Sequence, residues 1–268
     1  MKEYRWVGSQ KDFVDEISTV QLNNMILGRF GGNASAGQHK NEDGCLIWSD
    51  QENDWEFACI LDAHNTAESA ELVLAALESM KDSIQISLKL NTGEAFRQVH
   101  EMLLDKLCSQ TFKDRCQHVQ GETACLFVIR KENYLWWFSI GDCILYLNHP
   151  ELAALGEYQQ NHRSFYEWVG QESTFNKRVP CYSAGIKELR TGENHILLTT
   201  DGLVECPNTK FDSPEEIFSM FDGVQNSVGV HDLLREIQQK NVRDSTTIIS
   251  WTVTNNQIAT IPSDFRRK

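Results

Sequence analysis

The stretch Phe57-Ala58-Cys59-Ile60-Leu61-Asp62-Ala63-His64-Asn65-Thr66-Ala67-Glu68 runs five apolar residues into a carboxylate, with an imidazole two positions later. An apolar run of that length reads as a buried strand. An acid at its end needs a reason, because an ionised carboxylate is costly to bury without a partner. Asn65 followed by Glu68 is a variant of the capping box and predicts that a helix starts there. Asp62 and His64 are therefore expected in a strand-to-helix turn.

Working outward, similar short runs predict strands at 25–30, 44–48, 56–61, 123–130, 134–140, 143–147, 195–199 and 246–253. Between the third and fourth, two helical stripes follow the 3-and-4 spacing: Ala70, Val73, Leu74, Leu77, Met80 and Ile84, then Phe96, Val99, Leu103 and Leu107. Ser213-Pro214-Glu215-Glu216 combines a cap, a proline at the first helical position and a reciprocal acid, and so opens another helix reaching about 221. Val230, Leu233, Leu234 and Ile237 mark a fourth. This order, with hairpin-like neighbours at 134–147, indicates an α+β fold whose helices cover antiparallel sheets rather than a βαβ alternation. No internal repeat is present. Residues 148–185 are polar and weakly periodic, carry the aromatics Phe165, Tyr166 and Trp168, and are expected to form an excursion over the surface.

Composition limits the function. The 268 residues, 41% apolar and 24% charged, suit one compact domain. A net charge of −13, from 38 acids against 25 bases, argues against nucleic acid as a partner. The start has no apolar core of signal-peptide length and no window suits a bilayer, so the expected location is the cytoplasm, away from membranes. The eight cysteines include no C-x-x-C pair and mostly sit in apolar runs, as small reduced core residues do.

Asp62 is not alone. Asn41-Glu42-Asp43 precedes a predicted strand, Gly141-Asp142 lies between two, Thr200-Asp201-Gly202 ends one, and Asp244-Ser245 opens the last. Asp beside Gly is also ordinary turn chemistry, as in Asp222-Gly223, to which no role is given. Acids that end buried strands are different: gathered together they repel, and must protonate or find cations. With oxygen donors only, the expected cation is magnesium or manganese. Two such ions about 4 Å apart can hold a hydroxide and direct it at phosphorus in an in-line displacement.

With Asp62-Ala63-His64, Gly121-Glu122-Thr123-Ala124 and Asp244-Ser245-Thr246-Thr247 added, these motifs, in this order over residues 28–253, resemble the metal-dependent serine/threonine protein phosphatases of the type 2C family. The resemblance implies a four-layer α/β/β/α sandwich, with two mainly antiparallel sheets packed face to face between helices and a metal site at one end. It implies that Asp62 bridges two Mg2+ or Mn2+ ions. Asp201 and Asp244 would serve one ion, Glu42 and the Ala63 carbonyl the other, and Asp142 with Asp201 a third, weaker one. Asp43 would orient the attacking water, and His64 would be the general acid for the leaving alkoxide, a role suited to a group that exchanges protons near neutral pH. The substrate implied is a phosphoserine or phosphothreonine protein, and 148–190 takes the place of the family's variable flap.

Two departures stand out. The turn after Asp62 lacks the family's glycines, so any positive φ there would be strained by a side chain. The position that commonly carries a phosphate-gripping arginine is Gln38, followed by His39 and Lys40, which become the candidate phosphate ligands, although neither reproduces a bidentate fork. The protein phosphatase has two rivals: a catalytically weak or silent, phosphatase-shaped binding or regulatory module, and a two-metal hydrolase of small phosphoesters or nucleotides.

Overall fold

The computed structural model describes residues 1–263. The basic ending Phe265-Arg266-Arg267-Lys268, expected from the sequence to be a solvated tail, lies outside the described residues. The strands are β1 (Lys2–Val7), β2 (Ile17–Leu22), β3 (Met25–Phe30), β4 (Gly44–Asp50), β5 (Trp55–His64), β6 (Glu122–Lys131), β7 (Tyr134–Ile140), β8 (Ile144–Asn148), β9 (Val169–Gly170), β10 (Ser183–Glu188), β11 (Gly192–Thr199) and β12 (Thr246–Asn255). The helices are α1 (Glu68–Ser87), α2 (Thr92–Cys108), α3 (Gln110–Cys116), α4 (Pro150–Ala153), α5 (Pro214–Ser219) and α6 (Asn226–Gln239). Every predicted strand and helix is present; β1, β2, β9, β10, α3 and α4 are additional.

One sheet has the order β1-β4-β5-β6-β7-β10, with β9 paired to the start of β6, and the other has the order β2-β3-β12-β11-β8. Each pairing is antiparallel, as hairpins and short returns allow.

Three apolar seams separate four layers. Side chains alternate across a strand, so β5 divides its run between two of them. Phe57, Cys59 and Leu61 face outward and pack with Val73, Leu77, Phe96 and Val99 of α1 and α2. Ala58 and Ile60 face the other way and meet Leu145, Leu198, Ile249 and Trp251 between the sheets. The outer face of the second sheet closes against α5 and α6 through Ile217, Phe218, Val230, Leu233 and Leu234. Fully burying a residue of this size stabilises the fold by about 1.5–3 kcal/mol, so each seam is a major source of stability. The cysteines are all free, and Cys45, Cys59, Cys125 and Cys143 fill seam positions as small apolar groups. Among the described residues no helix is long and apolar enough to cross a membrane.

The start of α1 differs from the capping box read in the sequence. Asn65 is not the cap: it adopts a left-handed φ of 73°, and α1 begins at Glu68 with Ala67 before it. The Glu68 carboxylate cannot return to a cap because it accepts the Gln120 amide at 2.8 Å, tying α1 to the approach of β6. Asp62 and His64 accordingly sit in the last residues of β5, opposite Ala124 and Glu122.

Candidate active site

The seam between the sheets changes character at one end, and the two-residue period says which residues are found there. On β5 the inward row Ala58, Ile60 continues to Asp62; before β4, the row Ile47, Cys45 reaches back to Asp43. From the second sheet, Ile196 and Leu198 lead to Thr200, while Trp251 and Ile249 lead back to Thr247. The strands thus carry an apolar seam directly into a polar rim.

Asp142 and Asp201 arrive at this rim from the turn between β7 and β8 and from the end of β11. Gly141 makes the first turn possible: its φ is 86°, and a Cβ there would stand 2.5 Å from the Ala124 side chain. Carboxylate oxygens of Asp62, Asp142 and Asp201 lie within 4.8 Å of one another. Asp62 is 4% exposed and Asp201 8%, yet among the described residues Asp62 Oδ2 and Asp201 Oδ1 have no hydrogen-bond partner. Burial pushes the Asp62 carboxyl well above the usual range, reinforced by Asp201, Asp43 and Asp244. Burial and the charges of Asp244 and Asp142 take Asp201 up to about 6. Asp142 and Asp244 are also raised by desolvation, opposed respectively by Arg163 and by the Ser245 amide. Orphaned, mutually repelling, all-oxygen donors of this kind fit a hard divalent cation.

Asp43 is held differently. Its Oδ2 accepts the Thr247 hydroxyl at 2.6 Å and the Thr200 hydroxyl at 3.4 Å, while Thr200 Oγ1 accepts the Thr247 amide at 3.0 Å. This carboxyl is nonetheless pushed well up by burial, with Asp244, Asp201 and Glu42 adding to the effect.

Glu42, Ala63 and Asp244 lie beside the triad rather than in it: they line an open cleft of about 520 Å³ with Lys40, His64 and Arg243. Lys40 is ion-paired to Glu42 and donates to the Asn65 carbonyl at 2.7 Å. Asp142 and Asp201 line a second cleft, of about 440 Å³, together with Phe165, Tyr166 and Trp168; His64 and Glu205 border both. His64 Nδ1 stands 3.6 Å from Asp62 Oδ1, with about half of its side chain exposed. His39, expected as a phosphate ligand, is exposed, faces the Gly37 carbonyl at 3.4 Å and lines neither cleft. Its loop turns it away while Lys40 enters.

The missing glycines also resolve locally. Ala63 is an ordinary extended residue paired with Thr123, and the left-handed position falls on Asn65, a residue type that tolerates it. Sequence reading passes over Arg163, Glu205 and Arg243. Arg163 donates to the Asp142 carbonyl at 3.2 Å and to Glu205 at 2.7 Å, bracing the second cleft; nothing in the local sequence signals that contact.

No protein-family model and no curated protein sequence matches this chain. Solved structures do. A point mutant of a bacterial serine phosphatase aligns over 89% of this chain and 97% of its own, with a TM-score of 0.62 at 17% identity. The serine/threonine phosphatase Stp1 from Staphylococcus aureus covers 89% and 94%, at a TM-score of 0.60 and 14% identity. RsbX in complex with magnesium covers 88% and 100%, at 0.55 and 12%. Helices outside two face-to-face antiparallel sheets, with acids gathered at one rim, are the arrangement the motifs imply, and the chain has the fold of the type 2C serine/threonine phosphatases.

Proposed function

We propose that this protein hydrolyses phosphoserine and phosphothreonine esters in proteins with the help of Mg2+ or Mn2+. The observation that carries the reading is the triad of Asp62, Asp142 and Asp201, with two buried oxygens that have no hydrogen-bond partner among the described residues. A module that only bound a partner would have no use for such repulsion. The magnesium in RsbX supports the choice of cation, and the phosphatase neighbours support the reaction.

Asp62, Asp201 and Asp244 would hold one ion, and Asp62, Glu42 and the Ala63 carbonyl a second; Asp142 with Asp201 suits a third. When bound, such ions make water nucleophilic at neutral pH and neutralise the phosphoryl oxygens. Asp43, locked through Oδ2 by two threonines, keeps Oδ1 to orient the attacking water. As the new P–O bond forms and the seryl P–O bond breaks, His64 delivers a proton to the departing alkoxide from the end of β5. Lys40 keeps Glu42 aimed into the cleft.

Hydrolysis of a phosphoserine peptide and of an aryl phosphate, with manganese and with excess chelator, tests the reading. Wild type should turn over both in a manganese-dependent way, and Asp201→Asn should lose at least 100-fold, about 2.7 kcal/mol of barrier. A wild type without manganese-dependent turnover would identify the chain as a silent binding module.

A further inference from the structure

The cleft over Glu42 and Asp244 contains two cations in opposite circumstances. Lys40 is committed, to the Glu42 carboxylate and the Asn65 carbonyl. Arg243 lines the same cleft from the loop before β12, is exposed, and among the described residues its guanidinium has neither an ion-pair partner nor a hydrogen-bond acceptor.

Its backbone, by contrast, is firmly anchored. Gly32, at φ 82°, packs so closely that a Cβ would stand 2.1 Å from the Arg243 carbonyl oxygen. The Asn33 amide donates to the Val242 carbonyl at 2.8 Å, Ser35 donates to the Asn241 side chain at 2.6 Å, and Gln38 reaches Ser245 at 3.4 Å. The 32–38 loop is therefore stitched to the 241–245 loop on both sides of Arg243. The arginine projects from a fixed base next to Asp244, with its fork unspent.

We propose that Arg243 binds the phosphate of the substrate, and that Lys40 is a positioning residue for Glu42. This rests on the phosphatase reading of the same site. A phosphomonoester dianion offers planar pairs of oxygens that a guanidinium grips bidentately, and an unpaired guanidinium gives up no protein contact to do so. Recruiting Lys40 would break its contacts with Glu42 and Asn65. The assignment moves the phosphate-binding group from the segment that carries Gln38, His39 and Lys40 to the adjoining 241–245 loop.

Kinetics of Arg243→Ala, Arg243→Lys and Lys40→Ala on a phosphoserine peptide at saturating manganese, together with calorimetric titration of inorganic phosphate into the magnesium-loaded protein, provide the test. Arg243→Ala should raise KM and the phosphate Kd about 10–100-fold with kcat within a few-fold, and Arg243→Lys should recover part of that loss. Lys40→Ala should weaken manganese about 10-fold and leave KM unchanged once the metal saturates. Unchanged phosphate affinity in Arg243→Ala, or a raised KM in Lys40→Ala at saturating metal, overturns the assignment. If wild type shows no turnover, the phosphatase reading fails, and the phosphate titration still decides the role of Arg243.

Discussion

Glu56 and Asp62 stand at opposite ends of β5, on the same face, at the two ends of one apolar seam. Glu56 is 2% exposed and Asp62 4%, so the cost of burial is similar. Their cross-strand partners on β6 are not. Opposite Glu56 is Arg130, whose Nη2 and Nε reach both carboxylate oxygens at 2.6 and 2.5 Å, with Asp54 completing the cluster. Opposite Asp62 is Ala124, and among the described residues no lysine or arginine pairs with it, while the half-exposed His64 stands 3.6 Å from Oδ1 and leaves Oδ2 without a partner. Burial raises both carboxyls, but for Glu56 the arginine opposes the rise, whereas at Asp62 the neighbouring acids reinforce it. A buried acid answered within the chain belongs to the scaffold. One left unanswered points to something the chain must bind.

That contrast can be broken at either end. The largest effect should follow Arg130→Ala, which strands Glu56 and should cost about 3–5 kcal/mol in urea unfolding; a loss under about 1 kcal/mol would mean that the pair is not what holds this end. His64→Ala should cost roughly 10²–10⁴ in turnover of a phosphoserine peptide but little with an aryl phosphate, whose leaving group hardly needs a proton.

A third buried titratable group sharpens the comparison by being neutral. His195 contacts Ser250 Oγ at 2.7 Å and lies against Phe218 and Phe221, and burial pushes its pKa down from 6.5 to about 4. The unfolded chain therefore takes up the proton first, and stability falls as pH drops from about 6.5 to about 4. The loss should be on the order of 1–3 kcal/mol, visible in unfolding curves across that window and flattened in His195→Asn. The smallest effect has the most unusual sign. Without metal, Asp62→Asn should stabilise the fold by about 1 kcal/mol at neutral pH, and the gain should vanish near pH 4, where the unfolded-state carboxyl also holds its proton. Thermal unfolding in excess chelator measures it, and the order should reverse when manganese is added.

Legibility in the sequence follows burial. The eight predicted strands are those with continuous apolar runs, and the acids at their ends are visible because nothing else interrupts such a run. β1 and β2 escape the pattern because they are edge strands: Ile17–Leu22 alternates half-buried with exposed positions, and Lys2–Val7 opens on charged residues, so neither contrasts with a loop. α3 spans seven residues, too few for a helical stripe to repeat. The capping box at Asn65 fails because Glu68 has a competing tertiary partner in Gln120. The inward row that includes Asp43 and Asp62 can be counted from the two-residue period, whereas Arg163, Glu205 and Arg243 are brought in by loops whose paths no local pattern encodes.

Anomalous diffraction from a crystal grown with manganese bears most directly on the unanswered acid. Strong peaks are expected at the rim of the seam, one of them within bonding distance of Asp62 Oδ2 and Asp201 Oδ1. A difference map with no peak there, and the acids protonated or hydrogen-bonded to water instead, would contradict it.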